Sequence, residues 1–471
     1  MATIKTLARA VSCALSLSLI SSASAQLDWS QIDNESLLHF QNIVRMDSTD
    51  PPGRELEVAE YLVSVLRNEG IDVEVLALED HRPNVIARIP GNGSKRPLLL
   101  MAHTDTVNVD PEKWVFPPFS AHRDGGWIYG RGTVDDKDNV TAALMTLLLI
   151  KRQGLELDRD VIFLAEAGEE GATRIGIEYI VNEHFDRIDA EHCIAEGGSV
   201  VRQGGQVHYV GVQTVEKLPR SIRLTARGVA GHGSVPLQNN PVAALSRAVA
   251  AAADWQPPVR LSDATSTYFS RMASVSSPEA AARYRAVLNP GSSQGQAALQ
   301  WLKINEPRNA AVLFTGISPT MINAGYRVNV IPSEASATLD VRMLPEEDPD
   351  GFLDLLREVI DNPAVEVDFT SRNWRPGAST RLDTDAFRVI ESVMQANYNA
   401  TVIPTMSTGA TDMAYLRARG IQCYGIGPAI DAEDGPLGFG AHSDQERIIE
   451  SELYRFVRTH YEIVEQLAGA Q

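Results

Sequence analysis

The stretch LLLMAHTDTV, residues 98–107, runs apolar and then meets His103 and Asp105. A core strand with such an ending carries groups that are costly to bury to its carboxyl end. The pattern recurs twice: DVIFLAEAGEE closes on Glu169 and Glu170, and HCIAEGG brings Glu196. YGRGTVDDKDN places Asp135 and Asp136 just before a helical pattern, and GFGAHSDQE puts His442 in a glycine-rich loop. Ligands of open parallel sheets gather outside the carboxyl ends of the strands. Two histidines and several carboxylates are therefore expected at one sheet edge. His with Asp and Glu, without Cys, is the donor set of hydrolytic zinc, or of cobalt or manganese in its place. Several like charges buried together need cations, and two divalent ions about 3.5–4 Å apart would neutralise them. Taken singly, each acid has a plainer role: Glu169 and Glu170 as solvated acids at a helix start, Asp135 and Asp136 as helix caps. Their joint placement at matching strand ends favours the metal site.

The elements that must position these groups alternate. NESLLHFQNIVRMDS and ELEVAEYLVSVLRNEG space their apolar residues as helices, the second stopping at Gly70. VEVLAL, NVIARI and PLLLMAH read as strands; NVTAALMTLLLIKRQG and IGIEYIVNEHF read as the helices between later ones. Short apolar strands without polar alternation suit a sheet covered on both faces. The fold class expected is α/β with a mainly parallel central sheet. From residue 214 the texture changes to alternating strands (RSIRLTARG, SEASATLDVRML) and helices (PVAALSRAVAAAA, GFLDLLREVI), as in a smaller inserted α+β domain. The expected division is 26–213 and 373–471 for the catalytic domain and 214–372 for the insert. Within the insert, about 255–310 is rich in Ser, Pro and Ala and reads as irregular and partly helical.

Composition narrows the partners. Lys5 and Arg9, an apolar AVSCALSLSLI and a small-residue ASA make residues 1–25 a secretory signal cut after Ala25, which implies a secreted or periplasmic protein. A formal charge of −19 argues against nucleic acid, and no later stretch is long and apolar enough to span a bilayer. Cys193 and Cys423 remain after cleavage, too few for a disulfide framework, with one bond between them left open. GSSQG at 291–295 matches a nucleophile elbow only formally, since no strand precedes it.

With these motifs in order, together with ARGVAGHGSVP, INAGYRVNVIPSEASATLDVRMLP and STGATDMAYL, the chain resembles the dinuclear-zinc aminoacylase/carboxypeptidase family of metallopeptidases. That family includes succinyl-diaminopimelate desuccinylase, glutamate carboxypeptidase and secreted N-acyl amino acid hydrolases. The resemblance implies a zinc-peptidase-like catalytic domain and a lid domain through which the chain forms a homodimer. It implies two metal ions, zinc with cobalt or manganese as substitutes. His103 and Glu196 would bind one and Glu170 and His442 the other, with Asp135 bridging. Asp105 would orient His103 through its ring N–H, and Glu169 would be the general base. His232 would enter the partner's active site, Asn329 and Arg342 would face the substrate, and Gly409 would line the pocket. The substrate would be a small molecule, an N-acyl amino acid or short peptide, hydrolysed as by a carboxypeptidase or deacylase. Glu rather than Asp at 196 leans that way. The alternatives are an aminopeptidase or dipeptidase on the same site, and a non-catalytic binding protein of the same fold. Asp138, where many relatives have Gly, and the additional acid Glu166 depart from the family pattern.

Overall fold

A computed structural model describes residues 27–470; the expected signal segment lies outside them. Strands Val161–Glu166, Leu98–His103, His192–Ala195 and Gln422–Gly425 run parallel in that spatial order. They form the middle of a ten-stranded mixed sheet. Every residue of the first three is buried, as strands covered on both faces must be. The period of two sorts them. Leu98, Leu100 and Ala102 join Val161, Phe163 and Ala165 in a core with helices Leu56–Asn68, Lys137–Gln153, Asp385–Tyr398 and Glu450–Ala468. Leu99 and Met101 join Ile162 and Leu164 against helices Ile177–Glu183 and Met413–Ala418 on the opposite face. The sheet is thus pinned between two cores, and its carboxyl edge cannot slip without moving one face's side chains to the other.

Helix Lys137–Gln153 is buried along its whole length from Lys137 to Ile150. It ends at Gly154, whose φ of 59° is the left-handed stop glycine favours and whose N–H donates back to Ile150 and Lys151. Its first turn starts directly after Asp135 and Asp136, so a rigid helix fixes where those acids stand.

A second, four-stranded antiparallel sheet has the order Gly316–Ala324, Glu334–Met343, Leu218–Arg227, Val365–Phe369. Burial alternates residue by residue along Glu334–Met343, and helices Pro241–Asp254 and Pro349–Ile360 cover the inner face. Strand Gln206–Glu216 of the large sheet passes into Leu218–Arg227 through Lys217 alone. The lysine is buried, donating through Nζ to the Phe314 carbonyl at 2.6 Å.

The segment expected to be irregular and partly helical is largely helical: Asp263–Val275, Pro278–Val287, Ser293–Asn305 and Pro307–Ala311. The Ser and Pro residues that suggested irregularity are caps. Ser262, Ser277 and Ser292 accept from the first-turn N–H groups, and Pro278 and Pro307 occupy first helical positions. These helices have their own core, built around Phe269, Val287 and Leu302, which includes Ile403 of the large-sheet strand Val402–Ser407. Ser293 of the formal elbow motif opens one of these helices, with Ser292 as its cap. Cys193 and Cys423 lie in register on neighbouring parallel strands, both buried and both free. No described helix is long and apolar enough to cross a membrane.

Candidate metal centre

His103 ends its strand almost wholly buried. Its backbone N–H donates to Asp136 Oδ2 at 3.1 Å, and its ring Nδ1–H to the Asp105 carbonyl at 3.1 Å. Fixing Nδ1 as the donor turns Nε2 towards the cleft, the tautomer a metal-binding imidazole needs. Nε2 stands 3.0 Å from Asp135 Oδ1 and 4.0 Å from Glu196 Oε2. The other oxygen of Asp135 lies 3.1 Å from His442 Nε2, which is itself 3.1 Å from Glu170 Oε1. Two groups result, His103–Asp135–Glu196 and Asp135–Glu170–His442, each with ligand atoms within 4.8 Å of one another. Asp135 belongs to both.

The electrostatics call for cations here. Burial, with the charges of Glu169, Asp136 and Asp135 added, drives the Glu196 carboxyl well above its ordinary range. Burial likewise lifts Asp136 to about 8 and Glu169 to about 7. For His103, burial favours the neutral ring, but the hydrogen bonds to Asp105 and Asp135 outweigh it and raise its pKa. Hydrogen bonds to Asp135 and Glu170 raise His442 to about 10. Carboxylates crowded in this way are tolerable only beside positive charge, and N/O donors in two triads fit two divalent ions.

Asp105 does more than the sequence suggests. Its carboxylate is 3.5 Å from the His103 ring, while the backbone carbonyl makes the closer contact. Oδ1 accepts from the N–H groups of Gly168 and Glu169 at 2.9 and 3.2 Å, and Oδ2 from Glu170 at 3.0 Å. One buried aspartate therefore shapes the turn that carries both Glu169 and Glu170.

Three residues of this region escaped the sequence reading. Glu446, fully buried, accepts from Arg131 Nη1 at 2.6 Å and from the N–H groups of Gly132 and Val134 at 3.0 and 2.9 Å. Arg131 also donates to the Ser443 carbonyl at 2.8 Å, so this pair clamps the loop before Asp135 to the loop bearing His442. His442 sits in that loop at φ 61°, a left-handed conformation costing a non-glycine residue about 1–2 kcal/mol. Both clamp residues lie inside quoted motifs, where an acid and an arginine flanking the ligands were the available signal. The third, Arg375, reaches between Glu169 and Asp412 from a segment without any motif.

The lid-borne residues are elsewhere. His232 is exposed on a two-residue strand paired with Val330–Ile331, its Nδ1 accepting from Ser234 N–H at 3.1 Å. Asn329 adjoins it, its carbonyl accepting from Gly233. Arg342 is paired with Asp340 at 3.0 Å on its own strand. Gly409 is exposed in the loop after Val402–Ser407. Among the described residues none of the four makes a hydrogen bond or ion pair with a metal-site side chain. Asp138 is buried in the first turn of helix Lys137–Gln153, its carboxyl pushed well up by burial and by Asp136. Asp50, Glu55 and Asp105 also converge, but Arg82 is ion-paired to Asp50 and Glu55 and supplies the cation there.

Comparison with known proteins shows the family and the fold. The pattern described as peptidase family M20/M25/M40 matches residues 99–466. A probable carboxypeptidase S-like protein of Dictyostelium discoideum is 28% identical over 68% of this chain, which spans 62% of that relative. A probable succinyl-diaminopimelate desuccinylase of Staphylococcus aureus is 26% identical over 81% of the chain and 85% of its own length. The M20 metallo-carboxypeptidase of Sulfolobus solfataricus superposes with a TM-score of 0.69 at 21% identity, covering 92% of this chain and 98% of its own. A dinuclear metal-binding M20 peptidase of Bacillus subtilis gives 0.60 at 14% identity, covering 92% and 98%.

Proposed function

The chain belongs to peptidase family M20/M25/M40, and on that premise we propose that it is an exported carboxypeptidase or N-acyl amino acid deacylase. That it is a metal-dependent hydrolase of amide or peptide bonds follows from the family itself. The observation that carries the reading is the pair of ligand triads sharing Asp135 beside Glu169. His103 and Glu196 would hold one ion, Glu170 and His442 the other, and zinc suits these donors. Bound there, two divalent ions supply Lewis acidity towards the scissile carbonyl and lower the pKa of water.

The remaining steps belong to the chain's own residues. Glu169, most of its surface buried and its pKa lifted to about 7, can take a proton from the attacking water and return it to the leaving amine nitrogen. Asp105 holds the turn that presents it. His232, exposed and bonded to Ser234 rather than to any metal-site side chain, would polarise the substrate carbonyl from a partner subunit. Support for a homodimer through the lid is the exposed edge strand Gly316–Ala324, with Met321 and Ile322 both more than half exposed. Export rests on the signal pattern of residues 1–25.

The test is a panel of N-acyl amino acids and dipeptides, each with a free or an amidated C-terminus, read by release of amine from zinc-loaded enzyme. Free-carboxylate substrates are expected to be strongly preferred. Equal turnover of free and amidated forms would sink the carboxypeptidase/deacylase orientation and favour the aminopeptidase alternative.

A further inference from the structure

Two bonds of different kinds decide where a general base points: those to its backbone and those to its carboxylate. For Glu169 the backbone is held by Asp105 through the Glu169 N–H. Among the described residues, the one polar contact of its carboxylate is Arg375, whose Nη2 lies 3.5 Å from Oε1. Arg375 is far from a loose surface arginine. Nη1 is paired with the fully buried Asp412 at 3.0 Å, and the guanidinium carbon stands 5.8 Å from the Tyr415 ring centre. Its backbone carbonyl accepts from Arg220 Nη2 at 3.0 Å, and Arg220 in turn lies over Trp374 at 4.6 Å. The arginine is thus anchored at both ends, by the catalytic body through Asp412 and by the lid strand through Arg220.

Its surroundings explain why a cation is needed. Glu166, at the end of strand Val161–Glu166, is buried with no hydrogen-bond partner on Oε2 and feels the charges of both Asp412 and Glu169. Three carboxylates of like charge thus act on one another around Arg375, and without that cation their repulsion would turn the Glu169 carboxylate away from the other two. From these contacts we infer that Arg375 is a positioning residue that holds the Glu169 carboxylate in its reactive orientation. The inference rests on Glu169 being the base. Arg375 is a poor candidate for clamping a substrate carboxylate, because each terminal nitrogen already faces an acid that such a group would have to displace.

The experiment compares Arg375→Ala, Arg375→Lys, Glu169→Gln and the double variant Glu169→Gln/Arg375→Ala in the full chain. It reads kcat, KM and metal content on the best substrate of the panel. Arg375→Ala should keep two ions per chain and a KM within about threefold, while kcat falls about 10–100-fold, the scale of a misplaced catalytic group. Arg375→Lys should recover part of that loss. On the Glu169→Gln background, removing Arg375 should change kcat less than about twofold, since a group acting through Glu169 has nothing left to act on. A raised KM with intact kcat would make Arg375 a substrate contact and overturn the inference. So would loss of metal, or an undiminished second loss in the double variant. If Glu169→Gln alone leaves kcat intact, the base assignment itself fails, and that result is visible with Arg375 in place. Should Arg375→Ala not fold, Arg375→Lys carries the same comparison on both backgrounds.

Discussion

The metal centre and the lid face treat their polar residues in opposite ways. His103, Asp105, Asp135 and Glu170 are held by buried partners reaching in from several segments of the catalytic body, and the exposed His442 is placed by a loop that the buried Arg131–Glu446 pair clamps. His232, Asn329 and Arg342 are partnered only within the lid, the first two by their own corner and Arg342 by its own strand. The contrast teaches a division of labour. Chemistry needs groups fixed within fractions of an ångström, which a packed sheet edge supplies. On the proposed function, the lid residues would meet a substrate or a second subunit and would need freedom to arrive, which an exposed lid surface supplies.

The largest expected effect tests the fixed region. Glu169→Gln keeps shape but removes the base, so kcat should fall about 10²–10⁴-fold with metal content preserved. Glu170→Gln should lose metal instead, by elemental analysis. Identical behaviour of the two variants would erase the distinction between neighbouring acids.

Next is the clamp. Glu446→Gln leaves Arg131 buried without its counter-charge, and breaking a buried pair in this way costs about 3–5 kcal/mol. Denaturant unfolding should show that loss, with weaker metal retention because the two ligand loops come apart. A stability within 1 kcal/mol of wild type, taken as about the span of a surface pair, would mean the loops are positioned otherwise.

The lid should respond differently. His232→Ala should fold normally, keep its metal and lose about 10²–10³ in kcat, as for an oxyanion donor. Mixed with Glu169→Gln chains and allowed to exchange, it should regain partial activity. Mixed dimers verified by mass that remain inactive would confine His232 to its own chain.

The smallest effect is at Arg342. Replacement by Lys keeps charge but loses the planar fork, and should reduce kcat/KM for free-carboxylate substrates by about 1–3 kcal/mol. Amidated substrates should lose little. A uniform loss across both would place Arg342 in lid folding through Asp340 rather than in recognition.

The convergence of His103, Asp135, Glu170, Glu196 and His442 was legible because residue type and strand endings mark it: apolar runs that stop at or shortly before costly polar groups leave few alternatives. The two-sheet organisation was legible from the change between continuous and alternating apolar patterns. The extent of helix over 263–311 was legible only in part, because Ser and Pro there serve as caps, and their composition resembles that of a loop.

By itself the sequence determined which groups could bind metal and react, since metal chemistry is a property of side-chain type and the sheet edge a property of local pattern. Only the tertiary structure decided how they are held. Glu446 joining two ligand loops, Asp105 shaping the Glu169–Glu170 turn, and Arg375 meeting Glu169 are contacts between distant segments. No periodicity encodes such contacts. They exist because two cores lock the sheet, and the packing of those cores brings the loops within hydrogen-bonding distance.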